Sequence, residues 1–304
     1  MQWIIDYGLW TILRRLDDCF QLMKIIECPR DAMQGVDAFI PTEEKVAYLN
    51  QLLKVGYDTL DAGSFVSAKA IPQLRDTSEV FDHLDLTTTR TRILAIVANT
   101  RGAEDACRHP AVTYVGFPLS ISETFQKRNT NRSIPEALDT LNEIQERCVV
   151  SGRILVAYLS MGFGNPYGDP YDIEIVSKFV DILKTLQIRI VSLADTIGVS
   201  TTGQITYLFG GLTRDFPDLE IGAHLHSSPS KAALKIEAAL RSGCRRIDGA
   251  INGFGGCPMA EDKLVGNVAT ETIVGCLNAA GIPHHLDERA FAKAMRMAGP
   301  FFKR

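Results

Sequence analysis

The sequence lacks the features that would place it in a membrane, in a secreted scaffold or on nucleic acid. No apolar run approaches the roughly 20 residues that cross a bilayer. The seven cysteines include no Cys-x-x-Cys pair, and scattered thiols of odd number predict a reducing, cytoplasmic location. A net charge of −4 argues against nucleic acid as the main partner, because phosphate binding requires a basic surface. With 46% hydrophobic and 22% charged residues, the chain has the composition of a globular protein.

Tryptophan is also scarce, and both copies, Trp3 and Trp10, lie in the opening segment. This segment lacks the basic-then-apolar order of a secretory signal, and its aspartates suit a transit peptide poorly. A strand pattern begins directly after it. We therefore expect residues 1–22 to be an extension, either added by an upstream start codon or folded as an amphipathic helix that closes the bottom of the domain. Residues 23–304 are expected to form one domain that ends in helices.

After Met23, short strand-like runs alternate with longer segments whose apolar residues recur every three or four positions, which is typical of helices with one buried face. The predicted strands are Lys24–Cys28, Thr59–Ala62, Ile93–Ala98, Thr113–Phe117, Ile154–Leu159, Ile188–Leu193, Glu220–Leu225 and Arg246–Ala250. The clearest helical segments are Thr42–Val55, Ile134–Val149, Asp172–Leu186, Thr202–Asp215 and Lys231–Arg241. Cap-plus-acid patterns start two of them, at Thr42 and at Ser133.

Eight strands separated by helices predict parallel pairing through right-handed crossovers. The count and the length fit an α/β fold of the closed (β/α)8 type, the TIM barrel, whose sheet is parallel and eight-stranded. No Gly-x-Gly-x-x-Gly motif follows the first strand, so a dinucleotide-binding sheet has no support.

Metal-ligand residues gather at the predicted carboxyl ends of the strands, where barrels of this kind place their reacting groups. His224 and His226 are two residues apart in a strand, so both side chains face the same way. Asp31 follows the first strand and Asn267 follows the eighth. One carboxylate, two imidazoles and an amide carbonyl can hold a divalent ion, and mixed nitrogen and oxygen donors suit Mg²⁺, Mn²⁺ or Zn²⁺.

Other groups at the same predicted rim indicate acid–base chemistry on an anionic substrate. Arg30 precedes Asp31, and a fixed guanidinium can stabilise a carboxylate or a developing enolate. Cys257 lies in a glycine-rich loop, where small residues allow close approach to a ligand or motion as a lid, and its thiol could deliver or remove a proton. Asp61 and Asp195 lie at the ends of the second and sixth predicted strands.

Five short motifs, taken together, resemble the 3-hydroxy-3-methylglutaryl-CoA (HMG-CoA) lyase family of metal-dependent TIM-barrel enzymes. In chain order they are Pro29-Arg30-Asp31-Ala32-Met33-Gln34, Ser64-Phe65-Val66-Ser67, Leu193-Ala194-Asp195-Thr196-Ile197-Gly198, His224-Leu225-His226 and Gly255-Gly256-Cys257-Pro258. The resemblance spans residues 23–281.

The resemblance implies a retro-Claisen cleavage of HMG-CoA, or of a similar 3-hydroxyacyl-CoA, to acetyl-CoA and acetoacetate, a reaction of leucine degradation. It implies a divalent ion, Mg²⁺ or Mn²⁺ before Zn²⁺, held by Asp31, His224, His226 and Asn267. The catalytic residues it implies are Arg30, Asp31, Asp61, Asp195, His224 and Cys257, with Asp61 at the place of a family glutamate. Arg30 and Gln34 are expected to bind the substrate. The expected partners are an acyl-CoA and a second copy of the chain, most simply in a homodimer.

Three alternatives stand beside this interpretation. A related barrel could run the reaction forwards, condensing acetyl-CoA with a 2-oxo acid as isopropylmalate and homocitrate synthases do. A 4-hydroxy-2-oxo acid aldolase would use no CoA at all. A barrel without catalytic activity could bind an acyl-CoA or a metal as a sensor.

Overall fold

Eight parallel strands close into a barrel in the computed structural model, which describes residues 22–256 and 265–302. The strands are β1 (Lys24–Glu27), β2 (Thr59–Ser64), β3 (Arg92–Ile96), β4 (Val112–Ser120), β5 (Ile154–Ser160), β6 (Ile190–Asp195), β7 (Glu220–Leu225) and β8 (Arg246–Gly249). Each strand pairs with the next, and β1 pairs with β8 to complete the ring. The predicted (β/α)8 barrel is confirmed, and all eight predicted strands are present.

The helices of the described residues follow the strands around the outside of the barrel. They are α1 (Pro29–Gln34), α2 (Thr42–Leu53), α3 (Thr77–Asp82), α4 (Thr100–Arg108), α5 (Glu123–Thr130), α6 (Ile134–Ser151), α7 (Ile173–Thr185), α8 (Thr202–Asp215), α9 (Pro229–Arg241), α10 (Thr270–Ala280) and α11 (Glu288–Phe302). Within the described ranges, no helix has both the length and the apolar character needed to span a membrane. Of the predicted extension 1–22, residues 1–21 lie outside the described part of the chain.

The segment after β1 is helical from its first residues. Pro29 starts the six-residue helix α1, so the side chains of Arg30 and Asp31 project from its first turn. Proline suits a helix start because its φ angle is already helical and the amide hydrogen it lacks would have no partner there. The strand therefore turns into a helix at once, which brings two charged side chains to the rim.

The predicted helix starts are confirmed in one case and wrong in detail in the other. Ser133 and Glu136 form a reciprocal capping box at the start of α6, as their spacing predicts. Thr42, by contrast, is the first residue of α2 and makes no cap. Its hydroxyl donates to Asp76 at 2.9 Å, so a tertiary partner replaces the local one.

Two apolar layers support the barrel. The larger layer lies between the strands and the helices, and a smaller buried cluster is formed by side chains of β3 to β6, namely Leu94, Ile96, Tyr114, Val156, Tyr158 and Ile190. At the carboxyl rim, the rings of Phe302 and Phe254 lie 4.9 Å apart. Helix α11 thereby packs on the loop after β8, which leads into the predicted site.

A buried carboxylate ties β1 to that same loop. Glu27 accepts hydrogen bonds from the Ile251 backbone N–H at 2.8 Å and from the Thr270 hydroxyl at 2.6 Å. Burial raises the pKa of Glu27 to about 8, although both hydrogen bonds favour the charged form. The folded protein therefore holds a proton at Glu27 that the unfolded chain releases near its ordinary pKa of 4.5.

We expect Glu27 to make the fold less stable as the pH rises. A raised carboxyl pKa means that the folded state binds more protons between pH 4.5 and about 8, so the stabilisation is complete below pH 4.5 and is lost as the pH passes 8. The free energy of unfolding should fall by up to about 1.4 kcal/mol per pH unit across this window. Glu27→Gln keeps both hydrogen-bonding partners and should flatten the dependence, as measured by urea unfolding between pH 5 and 9. The exposed Glu43→Gln is the control, and parallel curves for all three proteins would contradict the prediction.

Candidate metal centre and active site

Two histidines from β7 lie side by side at the mouth of the barrel. His224 is the last residue but one of β7, and His226 follows the strand directly. Strand alternation puts both rings on one face, with centroids 5.2 Å apart. Asp31 of α1 meets them, because one ligand-type atom from each of the three residues lies within 4.8 Å of the others. The structure thus brings together three of the four predicted metal ligands.

Asn267 joins this group through Asp31. Its Nδ2 donates to Asp31 Oδ2 at 2.6 Å and to the Phe254 carbonyl at 3.0 Å, and its backbone bridges that of His226. A side chain at Gly255, whose φ is +95°, would come within 2.7 Å of the Asn267 amide and 2.9 Å of the Asp31 carboxylate. Glycine is required at this position, which lies against two of the four predicted ligands.

Each imidazole is held by one ring nitrogen. The Nδ1 of His224 lies 3.0 Å from Oδ2 of Asp248, and the Nδ1 of His226 lies 3.0 Å from the carbonyl oxygen of Thr196. Since both partners only accept, each Nδ1 carries a hydrogen, and in the neutral ring Nε2 presents its lone pair. The Nε2 of His226 is buried and has no hydrogen-bond partner among the described residues. A buried lone pair beside a carboxylate and a second imidazole fits a divalent cation.

Burial and neighbouring charges keep most of this donor set in forms that bind cations. Burial, reinforced by His224, lowers the pKa of His226 to about 4, so its ring is neutral at pH 7. Burial alone would raise the pKa of Asp31, but Arg30 and the two histidines outweigh it and bring the pKa to about 2. At His224 burial opposes the charged form, yet Asp248 raises the pKa above its ordinary value. A cation at His224 therefore competes with a proton.

Arg30 connects the metal-ligand group to a second buried carboxylate. Its Nε and Nη2 donate to Asp61 Oδ2 at 3.1 and 2.6 Å, while its Nη1 donates to Asp31 at 3.2 Å and to Gln34 at 3.1 Å. Burial raises the pKa of Asp61, and Arg30 opposes that rise. Because Asp61 is 0% exposed and both of its oxygens accept from Arg30, it holds the guanidinium in place. The predicted pair Arg30 and Gln34 also lies together beside Asp31.

Asp195 lies at the end of β6 but is occupied by other partners. Lys235 of α9 approaches it at 2.7 Å and the Ser200 hydroxyl donates to it at 2.5 Å. Lys235 also donates to the backbone carbonyl of His226 at 3.0 Å. Asp195 therefore anchors the segment that carries His226. The remaining predicted residue, Cys257, lies outside the described residues.

A cavity of about 520 Å³ opens above these groups. The side chains of Arg30, Asp31, His224 and His226 line its floor, and apolar residues such as Ile96 line part of its wall. A cavity that combines an apolar wall with a few convergent polar groups is the usual form of a small-molecule site.

The family of the chain follows from comparison with known proteins. The profile of the HMGL-like family matches residues 23–298, which is most of the chain. The chain belongs to the HMGL-like family. The family resemblance of the sequence motifs is thereby confirmed.

Members of this family with known names are similar over nearly the whole barrel. The chain is 35% identical over 254 residues to the hydroxymethylglutaryl-CoA lyase YngG of Bacillus subtilis, covering 84% of each protein. It is 30% identical over 268 residues to the cytoplasmic 3-hydroxy-3-methylglutaryl-CoA lyase of Rattus norvegicus, covering 88% of this chain and 77% of that one. The HMG-CoA lyase from Acinetobacter baumannii, solved in complex with coenzyme A and 3-methylmalate, has a TM-score of 0.86 at 29% identity and covers 93% and 92% of the two chains.

Sequence reasoning missed three supporting residues of this HMGL-like protein. Glu27 had a weak signal, an acidic residue that ends a strand directly after two isoleucines. Asp248 had a misleading signal, because its alternation with Arg246 in β8 ordinarily indicates a solvent-facing strand surface. Lys235 had none, since a lysine in an amphipathic helix is ordinarily solvent-exposed, whereas here it is buried against Asp195.

We expect His226→Ala to remove divalent-metal binding while leaving the barrel folded. The substitution removes a buried lone pair that no other described residue of the site can replace. Titration of the metal-free protein with Mn²⁺, followed by the electron paramagnetic resonance signal of free Mn²⁺, should show a loss of affinity above about 100-fold, more than supporting residues usually cause. His285→Ala, at an exposed position, is the matched control. Unchanged Mn²⁺ affinity in His226→Ala would exclude this group as the metal centre.

Proposed function

We propose that this protein is a divalent-metal-dependent carbon–carbon lyase that cleaves HMG-CoA, or a similar 3-hydroxyacyl-CoA, to acetyl-CoA and acetoacetate. The observation that carries the proposal is the convergence of Asp31, His224 and His226 beside the buried guanidinium of Arg30. The relatives named above as HMG-CoA lyases support the choice of substrate.

In this proposal Asp31, His224, His226 and Asn267 hold the cation. Mixed oxygen and imidazole donors suit Mg²⁺, Mn²⁺ or Zn²⁺, and the family resemblance places Mg²⁺ and Mn²⁺ before Zn²⁺. A bound divalent ion lowers the pKa of a hydroxyl group that it contacts, so that the hydroxyl can lose its proton near pH 7. The chain's own contribution is to orient the ligands, as the hydrogen bonds of both Nδ1 atoms do, and to keep His226 neutral by burial.

Arg30 is the residue that we assign to the developing negative charge. When the carbon–carbon bond breaks, its electron pair moves onto the thioester and forms an enolate. A guanidinium fixed by Asp61 and Asp31 stabilises that charge without having to reorient during the reaction. The two carboxylates also hold the pKa of Arg30 above its ordinary value, although burial opposes this, so the group stays charged.

The proton balance requires one proton to leave the substrate hydroxyl and one to reach the enolate carbon. A single thiol can do both, because a thiolate that accepts the first proton becomes the thiol that supplies the second. We assign this role to Cys257 on its place in the glycine-rich sequence after β8. Gln34 is assigned to substrate binding, since its Oε1 accepts from Arg30 at the cavity floor.

We also propose a cellular location and an assembly for this protein. The described cysteines are all free thiols, which suits a reducing, cytoplasmic compartment. We propose a homodimer as the working assembly, to be checked by sedimentation at micromolar concentration.

The direct test is incubation of the purified protein with HMG-CoA and Mn²⁺ or Mg²⁺, with separate assays for acetoacetate and acetyl-CoA. We expect the two products in equal amounts, no activity in chelator, and recovery when either metal is restored. Acetyl-CoA consumption in the presence of a 2-oxo acid would indicate a condensing synthase instead. Cleavage of a 4-hydroxy-2-oxo acid without CoA would indicate an aldolase, and binding of HMG-CoA without turnover would indicate a sensor.

We expect Arg30→Gln to separate catalysis from metal binding. Removing a fixed donor to a developing oxyanion ordinarily lowers kcat by about 10²–10³-fold. Mn²⁺ affinity should be equal or higher, because a positive charge leaves the neighbourhood of Asp31. Arg108→Gln, on the exposed side of α4, is the control for loss of an arginine. An Arg30→Gln enzyme that keeps the wild-type kcat would refute the assigned role.

A further inference from the structure

His224 has a buried partner that none of the sequence motifs includes. Asp248 lies directly across the β7–β8 ladder from His224 and is 1% exposed. Its Oδ2 lies 3.0 Å from Nδ1 of His224, while its Oδ1 has no hydrogen-bond partner among the described residues. Within the described structure, the hydrogen bonding of this carboxylate is therefore directed at His224.

The charge of Asp248 is countered from the same strand. Arg246, two residues earlier in β8, is fully buried on the same face. Burial disfavours its charge, but the attraction of Asp248 and other neighbours outweighs burial and raises its pKa. Tyr158 meets His224 edge-on, with ring centroids 5.7 Å apart, and limits rotation of the imidazole. The ring is thus held by a charged acceptor at Nδ1 and by an aromatic wall.

Two groups of potential ligands compete for this imidazole. Asp31, His224 and His226 form one group, while Cys28, His224 and Asp248 form a second group whose ligand atoms also lie within 4.8 Å of one another. His224 can serve only one of them, because Nδ1 cannot both donate to Asp248 and ligate an ion. The first group borders the cavity, whereas Cys28 and Asp248 do not line it.

We propose that Asp248 is a positioning residue that directs the Nε2 lone pair of His224 to the Asp31–His226 side, so that metal affinity depends on it. The proposal rests on the metal centre assigned above. The proposal also means that the two histidines differ in how their rings are oriented. The partner of His226 is the uncharged carbonyl of Thr196, whereas the partner of His224 is the carboxylate of Asp248. A carboxylate partner fixes the tautomer and increases the donor strength of an imidazole.

The first test is Mn²⁺ titration of metal-free Asp248→Asn, which conserves volume but removes the charge. We expect Mn²⁺ affinity to fall by about 10–100-fold. Cys28→Ala should keep the wild-type Mn²⁺ affinity. If Cys28→Ala lost as much affinity as Asp248→Asn, the group of Cys28, His224 and Asp248 would be the one that holds the ion, and the proposal would be overturned. Unchanged affinity in Asp248→Asn would overturn it as well.

A double-mutant cycle separates positioning from a general loss of structure. If Asp248 acts through His224, Asp248→Asn should cause no further loss of Mn²⁺ affinity in a His224→Ala background. Additive losses in the double variant would mean that Asp248 acts on the fold instead, and would overturn the proposal.

The ring tautomer gives a readout that does not depend on metal or turnover. Nitrogen-15 spectra of histidine-labelled, metal-free protein at a pH where His224 is neutral should show the Nδ1–H form in the wild type and a mixture in Asp248→Asn. A wild-type ring with its hydrogen on Nε2 would refute the proposal. If the protein showed these effects on Mn²⁺ affinity and ring tautomer but did not cleave HMG-CoA, only the proposed reaction would be refuted.

Discussion

The carboxylate of Asp31 is the point on which the whole site depends. It accepts from Arg30 and Asn267 and lies beside both histidines, so one buried charge holds two side chains and faces two more. This is possible only because the barrel closes. Asp31 follows β1, and the two histidines lie at the end of β7. In the closed barrel β8 pairs with both β7 and β1, so only one strand separates the two groups. An open sheet with the same strands in sequence order would leave Asp31 and the histidines at opposite edges.

Charge pairing explains how so many ionic groups can be buried at one rim. An isolated buried carboxylate would be destabilising by several kcal/mol or would bind a proton. Asp61 avoids this through the two-pronged contact with Arg30, and Asp195 through Lys235. Glu27 has no cation among its hydrogen-bond partners in the described part of the chain, and burial raises its pKa to about 8. The paired acids hold the groups that face the cavity, while Glu27 holds the loop behind them.

The sequence predicted the barrel and the convergence of the four candidate ligands because both depend on local patterns. Alternation along β7 is enough to place His224 and His226 on one face, and the rim rule of parallel barrels brings Asp31 and Asn267 to the same end. The function of Asp195 could not be read in this way, because its partner Lys235 approaches from a helix 40 residues further along the chain. Asp248 was missed for a related reason. A charged residue alternating with apolar ones normally indicates a solvent-facing strand surface, but the corresponding face of β8 is buried.

The balance of charge at the cavity floor favours an anionic substrate once a divalent cation is present. Arg30 and Asp31 line the floor, and the buried Asp61 lies behind Arg30, so two carboxylates stand against one guanidinium, while Asp248 faces Arg246. The guanidinium is therefore already neutralised by carboxylates, and the protein side chains alone offer little attraction to a carboxylate or an enolate. A divalent cation adds positive charge, so that acid anions become attracted to the same surface. The protein residues thus select for the cation, and the cation in turn makes the site complementary to a charged acyl group. A second arginine in place of the cation would supply only half the charge and could not accept the lone pairs of His224 and His226.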